Sequence, residues 1–305
     1  MPSAFACGLS TQGWLNPQRL GRVECCRLIY AVGIKCGMMG EMQAEIRIVP
    51  LEEADENRFV RFLERDKLLH IFTLYDMRNF KDRTRIWIAL KNDDVLGYLF
   101  VFNDLIINTH GAPEAMGELL NCISLTEPTI VIEPQHLETV KKLYEPVGPI
   151  DVASKGKITT YLVMRLSPFD FNPTMRHSVR RLGTEDLNEV VECLGEEWKT
   201  RVESAISRSV AYGAYLDRRL ASVAIVPEIV DRIGFIRGVY TTPEHRNKGL
   251  AASACSALAK ELVESGKIPV LWVAEDNVPA RRIYEKLGFR RTGYTLLGFK
   301  AKKIS

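Results

Sequence analysis

Two short segments of this chain carry residue types at spacings that can do chemistry. The first is Val239-Tyr240-Thr241-Thr242-Pro243-Glu244-His245-Arg246-Asn247-Lys248-Gly249-Leu250-Ala251. A β-rich run stops at a Pro turn, and a basic loop leads straight into a small-residue helix. The first N–H groups of a helix have no internal partner and carry partial positive charge from the aligned peptide dipoles. A diphosphate seated there accepts several main-chain hydrogen bonds. Gly249 lets phosphate oxygens approach the main chain, Ala251 keeps the first turn narrow, and Arg246 and Lys248 add positive charge. A helix that merely follows a loop shows many of the same residues, so this segment alone is a weak signal.

The second segment is Asn277-Val278-Pro279-Ala280-Arg281-Arg282-Ile283-Tyr284-Glu285-Lys286-Leu287-Gly288-Phe289. Asn277 stands where a cap belongs, Pro279 where a helix starts, and Gly288 just past its end. Tyr284 lies seven residues after Asn277, about two turns on, so the two share a face. A tyrosine phenol, with an ordinary pKa of about 10, is a proton donor at neutral pH. An aromatic residue packed on a helix face is the plainer alternative.

Together the segments resemble the GNAT superfamily of N-acetyltransferases. The residues that carry the resemblance are Arg246, Gly249 and Ala251 in one, and Asn277, Ala280, Tyr284 and Gly288-Phe289 in the other, over roughly Val179 to Phe299. The wording around Gly238-Val239-Tyr240-Thr241 and Gly266 to Leu271 is most similar to the glycine N-acyltransferase-like branch. Asn247 departs from the family, which usually has Gly there. Asn tolerates left-handed backbone, so the loop should survive the change.

The resemblance implies a CoA-dependent N-acyltransferase, with acetyl-CoA as default cosubstrate, no metal, and a small-molecule primary amine as acceptor. It places the diphosphate on Asn247, Lys248, Gly249, Leu250 and Ala251. It lays the pantetheine arm along Val239, Tyr240 and Thr241, between two splayed strands, with Asn277 on its other side. Acyl transfer needs an amine stripped of a proton, an oxyanion donor and a stabilised thiolate. Val239 or Thr241 N–H is the candidate for the second need, and Tyr284 the candidate acid for the third. The general base is not legible. Glu196, Glu197, Glu228 and Asp231 fall near the acceptor side, each more readily a surface acid, and His245 belongs to the loop. The expected reaction is direct attack in a ternary complex with no acyl-enzyme. A non-catalytic acyl-CoA sensor and a protein N-acetyltransferase are the competing readings.

Composition bounds the rest. The chain has 305 residues, 46% of them hydrophobic and 26% charged, which suits two globular cores. A net charge of only +3 implies no broad polyanion surface, so neither nucleic acid nor membrane is expected as partner. No apolar stretch reaches the ~20 residues a membrane span requires. Seven Cys lack paired zinc spacings and suit free thiols in a reducing cytoplasm. Cys255 follows the phosphate loop, where a buried small residue is the simpler reading than a nucleophile.

These residues need elements to position them, and the chain supplies an α/β (α+β) order twice. Residues 1–43 hold four of the seven Cys and read as a disordered extension, a weak transit-like segment or sequence upstream of the true start. Residues 44–166 read as a degenerate GNAT-like domain, 167–176 as a linker and 177–305 as the catalytic domain, each domain a mixed, mostly antiparallel sheet flanked by helices. In the first, helix-spaced residues run from Glu52 to Tyr75, a hairpin turns at Asn92-Asp93-Asp94, and helices cover Pro113–Ile123 and Gln135–Tyr144. Lys142-Leu143-Tyr144-Glu145 parallels Arg282-Ile283-Tyr284-Glu285. The first domain has no basic Gly loop and carries Leu137 seven residues before Tyr144. Its expected role is to wall one side of the acceptor cleft.

Overall fold

Hairpin turns fix the register of the sheet. Asn92-Asp93 and Asp217-Arg218 both take left-handed backbone, with φ of 50° and 65° in each pair. Two such residues make a tight turn whose twist matches the flanking strands. They join β2 (Thr84–Lys91) to β3 (Asp94–Phe102) and β9 (Val210–Leu216) to β10 (Arg219–Val230). The computed structural model describes residues 45–150, 154–196 and 199–304. The readings of residues 1–43, Glu197 and Trp198 lie outside them.

The first half runs β1 (Arg47–Pro50), α1 (Glu56–Glu64), α2 (Ile71–Asn79), β2, β3, β4 (Ile106–Gly111), α3 (Met116–Asn121), β5 (Thr129–Ile132), α4 (Leu137–Lys141), β6 (Tyr144–Gly148) and β7 (Thr159–Arg165). The second runs β8 (Ser178–Arg181), α5 (Leu187–Leu194), α6 (Lys199–Arg208), β9, β10, β11 (Ile233–Thr241), α7 (Leu250–Glu264), β12 (Ile268–Ala274), α8 (Val278–Leu287) and β13 (Arg290–Lys303). Each half pairs its strands antiparallel except one parallel pair, β4 with β5 and β11 with β12. The result is two units of similar element order in tandem, joined in one sheet flanked by helices.

The halves trade strands. The order is β1-β2-β3-β4-β5-β13-β7-β12-β11-β10-β9-β8, with β6 also on β13. So β7, from the first half, pairs with β12 from Val270–Arg165 to Ala274–Tyr161. In turn β13, from the chain's end, pairs with β5 from Leu297–Ile132 to Lys300–Thr129. The expected linker, with a short turn at Pro168–Asp170, thus connects halves whose sheet is continuous across it.

Side-chain alternation divides the second half's sheet into two faces. Leu271, Val273 and Ile236 pack against α7 and α8. Val270, Ala274 and Phe235 pack instead into a core shared with α1 and α2 of the first half. Tyr240, Val223 and Ile225 meet α5 and α6 on that same side.

Three local readings need correction. The pattern from Glu52 breaks into α1 and α2, with Asp55 capping α1 through the Arg58 N–H at 3.1 Å. The helix expected over Gln135–Tyr144 ends at Lys141, and Tyr144 opens β6. Tyr144 and Tyr284 are therefore not equivalent, because Tyr284 is helical. Strand β4 escapes an apolar pattern because Asn108, Thr109 and His110 are polar and buried.

Candidate functional site

Strands β11 and β12 pair only at Ile233–Ile268, Gly234–Pro269 and Phe235–Val270. Beyond these the two strands part, and β12 is held from its other side by β7. In the first half β4 and β5 stay paired from Ile106–Thr129 to Thr109–Ile132. The parting leaves a slot whose β11 wall is irregular. Register jumps from Val223–Tyr240 to Ile225–Arg237, a bulge at Gly238 and Val239, where Gly238 takes φ +58°. A bulged residue leaves the ladder. Thr242 N–H bonds the Ala221 carbonyl at 3.0 Å. By the alternation of an antiparallel ladder, the Thr241 main chain then faces away from β10 and into the slot.

The basic loop closes the slot's end. Asn247 takes φ 62°, the left-handed conformation that made Asn an acceptable substitute for Gly. Gly249 follows at φ +87° and caps α7, whose first N–H groups lack internal partners. A Cβ at Gly249 would meet only His177 Nε2, at 3.8 Å, so the approach to the main chain is open. Arg246 does more than supply charge, since its Nε donates to the Thr241 carbonyl at 3.3 Å and ties loop to strand. His177, which the sequence did not single out, donates from Nε2 to the Lys248 carbonyl at 2.7 Å. His245 bonds Thr242 Oγ1 through Nδ1 at 2.8 Å, within the loop as expected.

Helix α8 stands over the slot. Asn277 caps it, with Oδ1 accepting from Ala280 N–H at 3.3 Å, which leaves its amide N–H groups as donors. Gly288 ends it at φ +100°, where a Cβ would collide with the Asp170 carbonyl of the linker. Tyr284 is nearly buried and packs edge-on against Phe289, ring centroids 5.8 Å apart.

A cleft of about 1510 Å³ joins these parts. Val239, Thr241, Arg246, Asn247, Gly249, Leu250, Ala251, Asn277, Ala280 and Tyr284 all line it. Two expected residues do not. Tyr240 turns to the opposite face and packs with Leu182 and Val190, because side chains alternate along the strand. Lys248 is exposed outside the lining.

The acids separate as well. Glu196 and Glu228 line the cleft. Asp231 does not; it bridges the halves through Lys67 and Arg78. Lys67 above all holds the Asp231 carboxyl below its ordinary range. Cys255 is wholly buried, and burial pushes its thiol up to about 12. Among the described residues no cluster of three or more His, Cys, Asp or Glu is arranged to hold a metal. Among the described residues no helix is long and apolar enough to cross a membrane.

Comparison with known proteins shows what this geometry is similar to. The model of the FR47-like protein family matches residues 212–296, from within β9 to the middle of β13. An acetyltransferase of the GNAT family from Colwellia psychrerythraea aligns over 85% of this chain and all of its own (100%), at 13% identity and a TM-score of 0.54. A tandem GNAT protein from the clavulanic acid biosynthesis pathway covers 85% of this chain and 98% of its own, at 14% identity and a TM-score of 0.54. A Drosophila protein covers 86% and 99%, at 13% identity and a TM-score of 0.59. No curated protein sequence matches the chain. The chain has the fold of the GNAT acetyltransferases, in its tandem form.

Proposed function

We propose that the protein is a CoA-dependent N-acyltransferase that moves an acyl group, acetyl by default, to a primary amine. One observation carries this reading: the β11–β12 slot opens directly onto the left-handed Asn247–Gly249 loop at the start of α7. The loop amides of residues 247–251 and the Arg246 guanidinium suit a diphosphate. The β11 edge at Val239 and Thr241 offers main-chain groups to an amide-bearing arm, as an added strand would. Asn277 can donate to that arm from its free amide N–H groups.

The ammonium first gives one proton to solvent water, since it has no lone pair with which to attack. Its nitrogen then bonds the thioester carbon while Val239 or Thr241 N–H takes the developing oxyanion charge. As the C–S bond breaks, Tyr284 gives its proton to sulfur and the nitrogen sheds its second proton to solvent. Direct attack is supported by Cys255, whose burial and raised pKa make it a poor nucleophile.

We further infer that residues 177–305 form the catalytic unit, that 167–176 link it, and that 44–166 form a degenerate one without cofactor. The paired β4–β5 strands leave no slot there, and Glu133 Oε1 takes the Gly111 N–H at 3.0 Å. Kinship with the glycine N-acyltransferase-like branch rests on sequence wording alone, and cytoplasmic residence on the free thiols. A non-catalytic acyl-CoA sensor is the alternative, and the presence of Tyr284 in the cleft disfavours it.

The test is thiol release from acetyl-CoA with a panel of amines. Tyr284→Phe should cut turnover by about 100-fold, within the span for a general acid, at unchanged CoA affinity. CoA binding without release on any amine would favour the sensor.

A further inference from the structure

The slot joins the two faces of the sheet. The phosphate loop and α8 lie on the α7 face, so an acyl-CoA arm enters from there. The amine must then arrive from the other face, where α2 of the first half is packed. The floor there is aromatic. Phe72 of α2 meets Phe235 at 4.9 Å and Trp272 at 4.8 Å between ring centroids, both edge-to-face. The Arg237 guanidinium sits 5.0 Å from the centre of the Phe72 ring.

Beside this floor lies a carboxylate with spare capacity. Glu228 is only 7% exposed and lines the cleft. Its Oε1 accepts from Arg237 Nη1 at 2.9 Å, while Oε2 is buried with no partner among the described residues. A desolvated carboxylate oxygen without a donor is costly, and an ammonium supplies that donor. Arg237 is already committed to Oε1 and to the Phe72 ring.

We propose that the acceptor is a cationic amine on an apolar, ring-sized body, seated between Phe72 of the first half and Glu228 of the second. The seat deepens the acyl-transfer reading above and rests on it. Glu228 Oε2 binds the ammonium, the aromatic floor takes the body, and Arg237 positions the carboxylate. The first half thereby adds Phe72 to a seat whose carboxylate and remaining rings come from the second.

The test is calorimetric titration of CoA-saturated protein with 2-phenylethylamine, ethylamine and 3-phenylpropionate, the last carrying the same body on an anion. The amine with the ring should bind about tenfold more tightly than ethylamine, and 3-phenylpropionate should not bind. Glu228→Gln should weaken 2-phenylethylamine by about tenfold or more with CoA affinity unchanged. Phe72→Leu spares the buried ion pair, serves if Glu228→Gln fails to fold, and should bring 2-phenylethylamine close to ethylamine. No amine binding, equal affinity for the two amines, preference for the anion, or unaltered affinity in Glu228→Gln would overturn the seat. Absence of CoA binding in the wild type would instead overturn the acyl-transfer reading, and the same titrations without CoA would still judge the seat.

Discussion

His177 Nε2 and the Lys248 carbonyl, 71 residues apart in sequence, are joined by a 2.7 Å hydrogen bond. The bond pins the loop from outside, just before β8, and holds the peptide between Lys248 and Gly249 in the orientation that presents its N–H. His177→Ala should weaken CoA binding by about 1 kcal/mol, roughly fivefold, with kcat at saturation little changed. Isothermal titration with CoA reads the first effect and steady-state kinetics the second. An equal fall in kcat would give His177 a different role.

The two left-handed positions of the loop predict opposite outcomes. Asn247→Gly should retain CoA affinity, because glycine adopts φ 62° without strain. Gly249→Ala places a Cβ at φ +87° and should cost about 1–2 kcal/mol, seen as weaker CoA binding or a lower melting midpoint. Equal behaviour of the two variants would contradict the left-handed loop.

The first half should be acid-sensitive. His70 is buried against Tyr98 and beside His110, and burial, then the His110 charge, brings its pKa down to about 3. Burial lowers His136 as well. As pH falls below about 6.5 the unfolded chain takes up a proton that folded His70 refuses, so stability drops by about 1.4 kcal/mol per pH unit from this group. The loss from His70 should continue until about pH 3. For Glu133, burial raises the carboxyl, but the His110 ring, Gly111 N–H and Gln135 amide outweigh it and hold it near 2. Its stabilising contribution is full above the ordinary carboxylate range and is lost as pH falls through about 2. Melting midpoints from pH 8 to 4 should fall, and His70→Gln should flatten the slope. A flat wild-type profile would contradict this.

Strand exchange predicts that neither half is autonomous. A fragment spanning 177–305 lacks β7, which lies between its β12 and β13. Expressed alone it should show little cooperative melting by circular dichroism, and mixing with a fragment of 45–176 should restore it. A stable, CoA-binding 177–305 fragment would show that β7 is dispensable.

The site was legible where chemistry and backbone coincide in one stretch of chain. Asn247, Gly249, Asn277 and Gly288 announce turns, caps and left-handed positions locally, and each takes the conformation its type favours. The residues that escaped act across the fold. His177 reaches Lys248, Phe72 reaches Trp272, and β13 reaches β5, contacts that no local pattern encodes. Strand β4 was missed for another reason. Asn108, Thr109 and His110 are polar yet buried, Thr109 through a 2.9 Å bond from its Oγ1 to His136, so burial there leaves no apolar period. The likeness between the segments around Tyr144 and Tyr284 misled because four residues of similar wording do not fix helix or strand.

The most direct measurement is isothermal titration of CoA into the wild type and into a variant carrying both Arg246→Ala and Gly249→Glu. The wild type should bind saturably, one to one. The variant should lose that binding, because its new carboxylate and missing guanidinium oppose a diphosphate at the start of α7. Equal CoA affinity in a folded variant would rule out a diphosphate seat there.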